Sequence, residues 1–213
     1  MSLKINEIFH SIQGESSRAG WPCVFVRLTY CNLRCDYCDT VYSYEEGEEM
    51  ELDDIIFKVN SYRCKLVEIT GGEPLVQKET PELAKRFLDL GYIVLIETSG
   101  SLDIGVLPDG CIRIVDFKTP SCGMAEKNLW ENVSKLKNSD EVKFVVRTHA
   151  DYQWAVEKIA EYNLLDTCPV SVSPVFGELE NETLANWILA DKLPLRLNLQ
   201  IHKYIWAPET RGV

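Results

Sequence analysis

An α/β fold built on an open, curved, mostly parallel sheet is predicted by three features of this sequence. Short apolar runs alternate with helical stretches, unusual polar segments sit at or just beyond the ends of those runs, and no linker or repeat divides the 213 residues. The length suits one domain over residues 1–213, and a 46% share of hydrophobic residues is enough to bury a sizeable core.

Taken in order, the run CVFVRL predicts a strand over 23–28 and LDDIIFKVNSY a helix over 52–62. A strand over 66–70 (LVEIT) precedes a helix over 79–90, with Thr80 as its N-cap, Pro81 at the first helical position and Gly91 as its stop. Strands over 92–97 and 112–116 follow, then a helix over 125–136, a strand over 141–146 and a helix over 150–163. A strand over 169–173, a helix over 180–190 that starts less sharply near Asn181, and a strand over 195–199 complete the order. That order implies right-handed crossovers and roughly six β/α units, too few to close an eight-fold barrel. Ligands of such sheets bind beyond the C-terminal strand ends. CNLRCDYC, TGGEP, ETSG, DFKTP, SPVFG and QIHKYIW all fall there, which marks the expected site.

A net charge of −11 argues against binding nucleic-acid backbones, which calls for a basic face. The opening MSLKINEIFHSIQGES has no apolar signal-peptide core, and the longest apolar runs are strand-sized, so a cytoplasmic protein with no membrane partner is expected. Of eight cysteines, Cys31, Cys35 and Cys38 fall within eight residues. Cys23, Cys64, Cys111 and Cys168 read as small buried hydrophobes, and Cys122 lies in a loop.

The C-x-x-x-C-x-x-C spacing supplies three thiolates, one short of a closed tetrahedral metal site. The deficit suits a 4Fe–4S cube with one iron left open to an exchangeable ligand. A structural zinc with His10 or another cysteine as fourth ligand is the alternative.

The triad, together with TGGEP and the partial-barrel order, resembles the radical S-adenosylmethionine (SAM) superfamily and its partial (β/α)6-like barrel. SIQGES, Arg27, CDYCDT, ETSG, DFKTP and the terminal HKYIW and RGV narrow this to a resemblance to the 7-carboxy-7-deazaguanine synthase family. The resemblance implies a radical ring contraction of 6-carboxy-5,6,7,8-tetrahydropterin with loss of ammonia, in queuosine-type 7-deazapurine biosynthesis. It also implies a 4Fe–4S cluster on Cys31, Cys35 and Cys38, S-adenosylmethionine and Mg²⁺, the last on Thr40. Cofactor contacts implied in the same way are Tyr37, Cys38, Asp39, Gly71, Gly72, Glu73, Ser99, Asp116, Phe117, Lys118, Ser173, Pro174, Val175 and Phe176. Pterin contacts would be Ile12, Gln13, Gly14, Glu15, Arg27, Thr70, His202 and the carboxylate of Val213, with the N-terminal segment and the tail as lids and no side chain itself the radical source. A flavodoxin-like or ferredoxin-like reductant and a homodimer are expected, whereas the stretch VYSYEEGEEM after Thr40 is shorter than in longer members.

Plainer readings stand beside these. Arg27 could pair with Glu97 or Glu68, Asp36 and Asp39 could solvate a loop, and Lys118 could lie on the surface. His202 could be a core histidine, and Tyr204 and Trp206 could serve packing or dimer contacts. Another radical enzyme, such as a glycyl-radical activase, or a zinc-binding structural protein are the competing functions.

Overall fold

Two strands without a strong apolar run stand at one edge of the sheet seen in the computed structural model, which describes residues 1–213. β1 (Ser2–Ile12) pairs antiparallel with β2 (Pro22–Leu28) on one side and with β3 (Glu48–Glu51) on the other. Neither β1 nor β3 is among the predicted strands. In β1 the buried positions run Leu3, Ile5, then Ile8, because the register shifts between Ile5 and Glu7 and breaks the two-residue period. β3 is EEME, a short charged edge with no apolar signal, and such edges resist pairing with other chains.

From β2 onward the sheet is parallel: β4 (Leu66–Gly71), β5 (Ile93–Thr98), β6 (Ile112–Phe117), β7 (Glu141–Val146), β8 (Val170–Pro174) and β9 (Arg196–Leu197). The full order is β3-β1-β2-β4-β5-β6-β7-β8-β9, so the nine strands form an open sheet that does not close. Helices α1 (Leu52–Ser61), α2 (Thr80–Asp89), α3 (His149–Glu161) and α5 (Asn181–Asp191) lie between strands, with the short α4 (Leu164–Thr167) before β8 and α6 (His202–Ile205) in the tail.

Three local expectations give way. The segment 125–136 is not a helix but two 3-10 turns, Ala125–Lys127 and Trp130–Lys135. Asn128 exchanges side-chain hydrogen bonds with the backbone of Lys118, and Asn132 bonds Ile104, Gly100 and Leu102, so the asparagines tie the chain to neighbouring loops. Thr80 is the first residue of α2 rather than its cap, and its hydroxyl donates to Pro74 O at 2.6 Å. The last strand shrinks to Arg196–Leu197.

Strand parity then places the site. Val24, Val26, Val67, Ile69, Val94, Ile96, Val115, Phe117, Val142 and Phe144 face the helices and join Leu83, Phe87, Ile55, Val59, Tyr152 and Ile159 in the main core. Truncating one of these to alanine costs about 2–5 kcal/mol. Successive side chains alternate faces, so Arg27, Glu68, Thr70, Glu97, Asp116, Lys143 and Ser171 point to the concave side. The smaller cluster Cys23, Phe25, Leu66, Leu95 and Ile114 shares that inner parity.

Candidate active site

A cavity of about 810 Å³ fills the concave face. Its floor is a charge network on strand-held side chains. Lys143 Nζ lies 2.5 Å from Glu97 Oε1, 3.0 Å from Glu15 Oε2 and 3.5 Å from Asp116 Oδ2, and Lys118 Nζ lies 2.8 Å from the same Asp116 oxygen. Burial works against the Lys143 ammonium, but Glu15, Glu97 and Asp116 together hold its pKa well above the ordinary lysine value. Burial likewise raises the Glu15 carboxyl; Lys143 and a hydrogen bond from Gln200 outweigh it and leave Glu15 below the usual range. Glu68 is the opposite case. It is 3% exposed, accepts a hydrogen bond from Gln13, and is pushed well above the carboxylate range by burial first and then by Glu97 and Glu15.

The QGE segment and the tail meet across this floor. Ile201 N donates to Gly14 O at 3.0 Å, and a side chain at residue 14 would drive into the His202 ring, so the close approach requires glycine there. Glu15 also accepts from Gln200 Nε2 at 2.9 Å and Asn198 Nδ2 at 3.2 Å, while Asn198 donates to Ser173 Oγ at 2.9 Å. Burial moves His202 below the ordinary histidine pKa, against the pull of Glu15. Ile12 and Val213 line the same cavity, and Thr70 Oγ1 donates to Glu97 Oε2 at 3.3 Å.

The rim carries the cysteines. Cys31, Cys35 and Cys38 are free, half-buried and open on the one cavity, with Leu33 N donating to Cys31 Sγ at 3.4 Å. The Cys35 thiol is pushed up by a hydrogen bond with Cys122 and by burial, and Cys122 is fully buried behind it. Gly72 passes so near Tyr30 and Cys31 that a Cβ would overlap them, and Gly71 sits at φ +147° against Leu28. Thr40 Oγ1 lies 3.7 Å from Cys38 Sγ. Tyr37 OH donates to Val145 O at 3.1 Å, and the Asp39 carboxylate is held by Lys203 Nζ at 2.7 Å. Pro174, Val175 and Phe176 line the far wall.

Two expected contacts stand elsewhere. Phe117 has outer parity, is fully buried and stacks on Trp130 at 4.6 Å, so it does not line the cavity. Glu73 is also fully buried and does not line it: its carboxylate accepts from Thr98 Oγ1, Ser99 N, Ser99 Oγ and Leu75 N, and so positions Ser99, which does. The predicted partners of Arg27, Glu97 and Glu68, give way to Glu7, whose Oε1 is 2.8 Å from Arg27 Nε. Lys118 is paired and lines the cavity rather than the surface. Cys64 is half-buried rather than buried. Lys143, Glu7 and Lys203 line the cavity too, and sequence reasoning missed them; the inward parity of Lys143 within EVKFVV was the available signal.

The residues present fit the implied cofactors. No three His, Cys, Asp or Glu side chains converge tightly enough to grip a single ion, and exposed His10 packs near Tyr62 at 5.8 Å, away from the cysteines. A single zinc therefore fits poorly, whereas a cube with its irons spread among separated thiols fits three that share one cavity. Asp116 Oδ1 is buried with no hydrogen-bond partner on a cavity-lining residue, which leaves an acceptor for a bound ligand. Thr40 offers Mg²⁺ a single hydroxyl, consistent with an ion that keeps waters and draws on substrate.

Comparisons with known proteins agree with this geometry. A profile of the Radical SAM superfamily matches residues 26–116. The 7-carboxy-7-deazaguanine synthase of Chlorobaculum tepidum is 47% identical over 214 residues, covering 99% of this chain and 97% of that protein. That of Koribacter versatilis is 43% identical, covering 99% of this chain and all of the relative. The crystal structure of QueE from Escherichia coli matches with a TM-score of 0.78 at 22% identity, covering 94% of both chains, a likeness of fold.

Proposed function

The chain belongs to the 7-carboxy-7-deazaguanine synthase family, and from that premise we infer a carbon–nitrogen lyase reaction in this cavity: 6-carboxy-5,6,7,8-tetrahydropterin contracts to 7-carboxy-7-deazaguanine and ammonia leaves. The observation that carries the reading is a single cavity with three free thiols at its rim and a strand-held charge network at its floor. When bound, a 4Fe–4S cluster on Cys31, Cys35 and Cys38 and S-adenosylmethionine supply the one-electron chemistry that removes and returns a hydrogen atom. Tyr37, Gly71, Gly72, Ser99, Asp116, Lys118 and the Ser173–Phe176 wall are the contacts we assign to S-adenosylmethionine, and Thr40 the one we assign to Mg²⁺.

The chain's own residues orient the pterin. Arg27 takes the substrate carboxylate, a planar fork meeting a planar acceptor. Glu15 and Glu97 face the amino-bearing edge of the ring as acceptors, held in place by Lys143. Gln13, fixed by Glu68, presents its amide oxygen to Glu15 N at 2.9 Å and fixes the segment that covers the ring. Gly14, packed under His202, and the Asp39–Lys203 pair seal the cavity against water, which a radical reaction requires.

A flavodoxin-like or ferredoxin-like donor of single electrons suits this chemistry. The exposed Tyr204 and Ile205 support a homodimer, and eight free cysteines support a reducing cytoplasm. No helix is long and apolar enough to cross a membrane. The reading is tested by anaerobic reconstitution with iron and sulfide, followed by incubation with carboxytetrahydropterin, S-adenosylmethionine, Mg²⁺ and a strong reductant. Carboxydeazaguanine and ammonia are expected. S-adenosylmethionine cleavage without pterin turnover would point to another radical enzyme.

A further inference from the structure

We propose that Glu7 is a positioning residue that aims Arg27 at the substrate carboxylate, so that the cross-strand pair sets the enzyme's preference for carboxylated ligands. The proposal rests on the reading that Arg27 grips that carboxylate.

The backbone brings the two together. Glu7 and Arg27 are direct partners in the β1–β2 ladder, and the register shift lies immediately before Glu7. A bulge adds a residue to one strand and re-aims the side chains that follow. Asn6, the extra residue, is pinned by its amide donating to Glu46 O at 2.9 Å. With the ladder resumed at Glu7, its side chain lies on the same face as that of Arg27, since directly paired strand residues share a face.

The side chains complete the aim. Glu7 Oε1 accepts from Arg27 Nε at 2.8 Å and from Tyr42 OH at 3.3 Å. The guanidinium lies between the rings of Phe9, 5.9 Å from its centroid, and Tyr42, 6.0 Å from its centroid. No other acceptor contacts it. A guanidinium has five N–H donors, and engaging Nε leaves the two terminal nitrogens and their four N–H groups. The side-on fork through Nε is thus closed, and the end-on fork remains. Both residues line the cavity, with side chains only 15% and 20% exposed, so the free end has the cavity before it.

Glu7 therefore does two jobs. It neutralises a partly buried cation in the empty site, and it limits a carboxylate to one bidentate approach. A residue that only balanced charge would affect all ligands alike, whereas an aiming residue affects those with a carboxylate.

The test is direct binding to reconstituted holoprotein with S-adenosylmethionine and Mg²⁺. Two probes are compared by calorimetry: 7-carboxy-7-deazaguanine and 7-deazaguanine, which lacks the carboxyl. Glu7→Ala should weaken the carboxylated probe on the order of tenfold, the scale of one lost charged hydrogen bond, and leave the other within about twofold. Glu7→Gln keeps an oxygen for Nε and should recover most of the loss. In turnover, KM for the pterin should rise in Glu7→Ala with kcat little changed. Equal loss for both probes, or no loss in Glu7→Ala, overturns the proposal. Arg27→Gln separates the two layers. If that substitution weakens both probes alike, the Arg27 reading falls and the proposal with it; if it weakens only the carboxylated probe while Glu7→Ala does not, only the role of Glu7 falls.

Discussion

The cysteine loop runs from Thr29 to Thr40 with no helix or strand, whereas most of the charged floor beneath it is carried by strands. A few backbone bonds hold the loop, among them Tyr30 N to Ser43 O at 2.9 Å, Asp36 N to Cys122 O at 3.1 Å and Glu73 N to Tyr30 O at 2.8 Å, and Thr29 and Leu33 are its buried residues. On the floor Glu97, Asp116 and Lys143 sit on adjacent parallel strands, and Glu15 closes the network from the QGE segment. The difference teaches where each part draws its order. The floor is fixed by the fold before any ligand arrives, and the rim, under the assignment of the cluster to its three thiols, would be completed by that cluster.

Substitutions can break that contrast, and the largest effect belongs to the rim. Cys35→Ala should abolish turnover and the visible absorption of the cluster, yet leave the urea midpoint of the cluster-free protein close to that of the parent. A large loss of fold stability there would mean that the loop is structural in its own right. Lys143→Met should do the reverse and destabilise the protein by about 3–5 kcal/mol, because it leaves buried carboxylates without their cation. Equilibrium denaturation reads this directly, and a near-neutral result would show that the floor is less fixed than its geometry says.

A smaller effect comes from pH. Glu68 binds its proton more tightly folded than unfolded, so its contribution to stability is complete below the ordinary carboxylate pKa and fades as pH rises through the elevated one. The groups facing it are Gln13, Glu97, Glu15, Lys143 and Arg27. Glu68→Gln mimics the protonated form and should flatten the decline in stability as pH rises above the ordinary carboxylate range. An unchanged slope would assign the decline to another group. The smallest effect is expected at the exposed Arg211–Glu46 pair, at 2.9 Å and more than half exposed on both sides. There Arg211→Ala should change stability by no more than about 1 kcal/mol.

The same contrast explains what could be read from the residues alone. That Cys31, Cys35 and Cys38 share one cavity was legible because they are neighbours in the chain. The parallel core was legible because LVEIT or IRIVD leaves little choice but a buried strand. Lys143 and Glu97 come from runs 46 residues apart, and nothing local in either announces the ion pair. Phe117 was misplaced for want of a parity count: it follows Asp116, so it must face the other way. β1 was hidden by the extra residue that breaks its two-residue period, and the segment 125–136 by asparagines whose partners lie on other loops.

The register shift in β1 leaves one residue, Asn6, that the ladder does not need. Deleting Asn6 would pair Glu7 with Arg27 directly after Ile5 with Leu28, a regular alternation that keeps Leu3 and Ile5 in the core and Glu7 beside Arg27. The segment between Val41 and Glu48 is tied to the same place, since Asn6 Nδ2 and Thr29 Oγ1 both donate to Glu46 O. A deletion should therefore be tolerated at Asn6 and rejected at Lys4 or Ile8, where it would move apolar side chains off the core face, a pattern that a scan of single-residue deletions would expose.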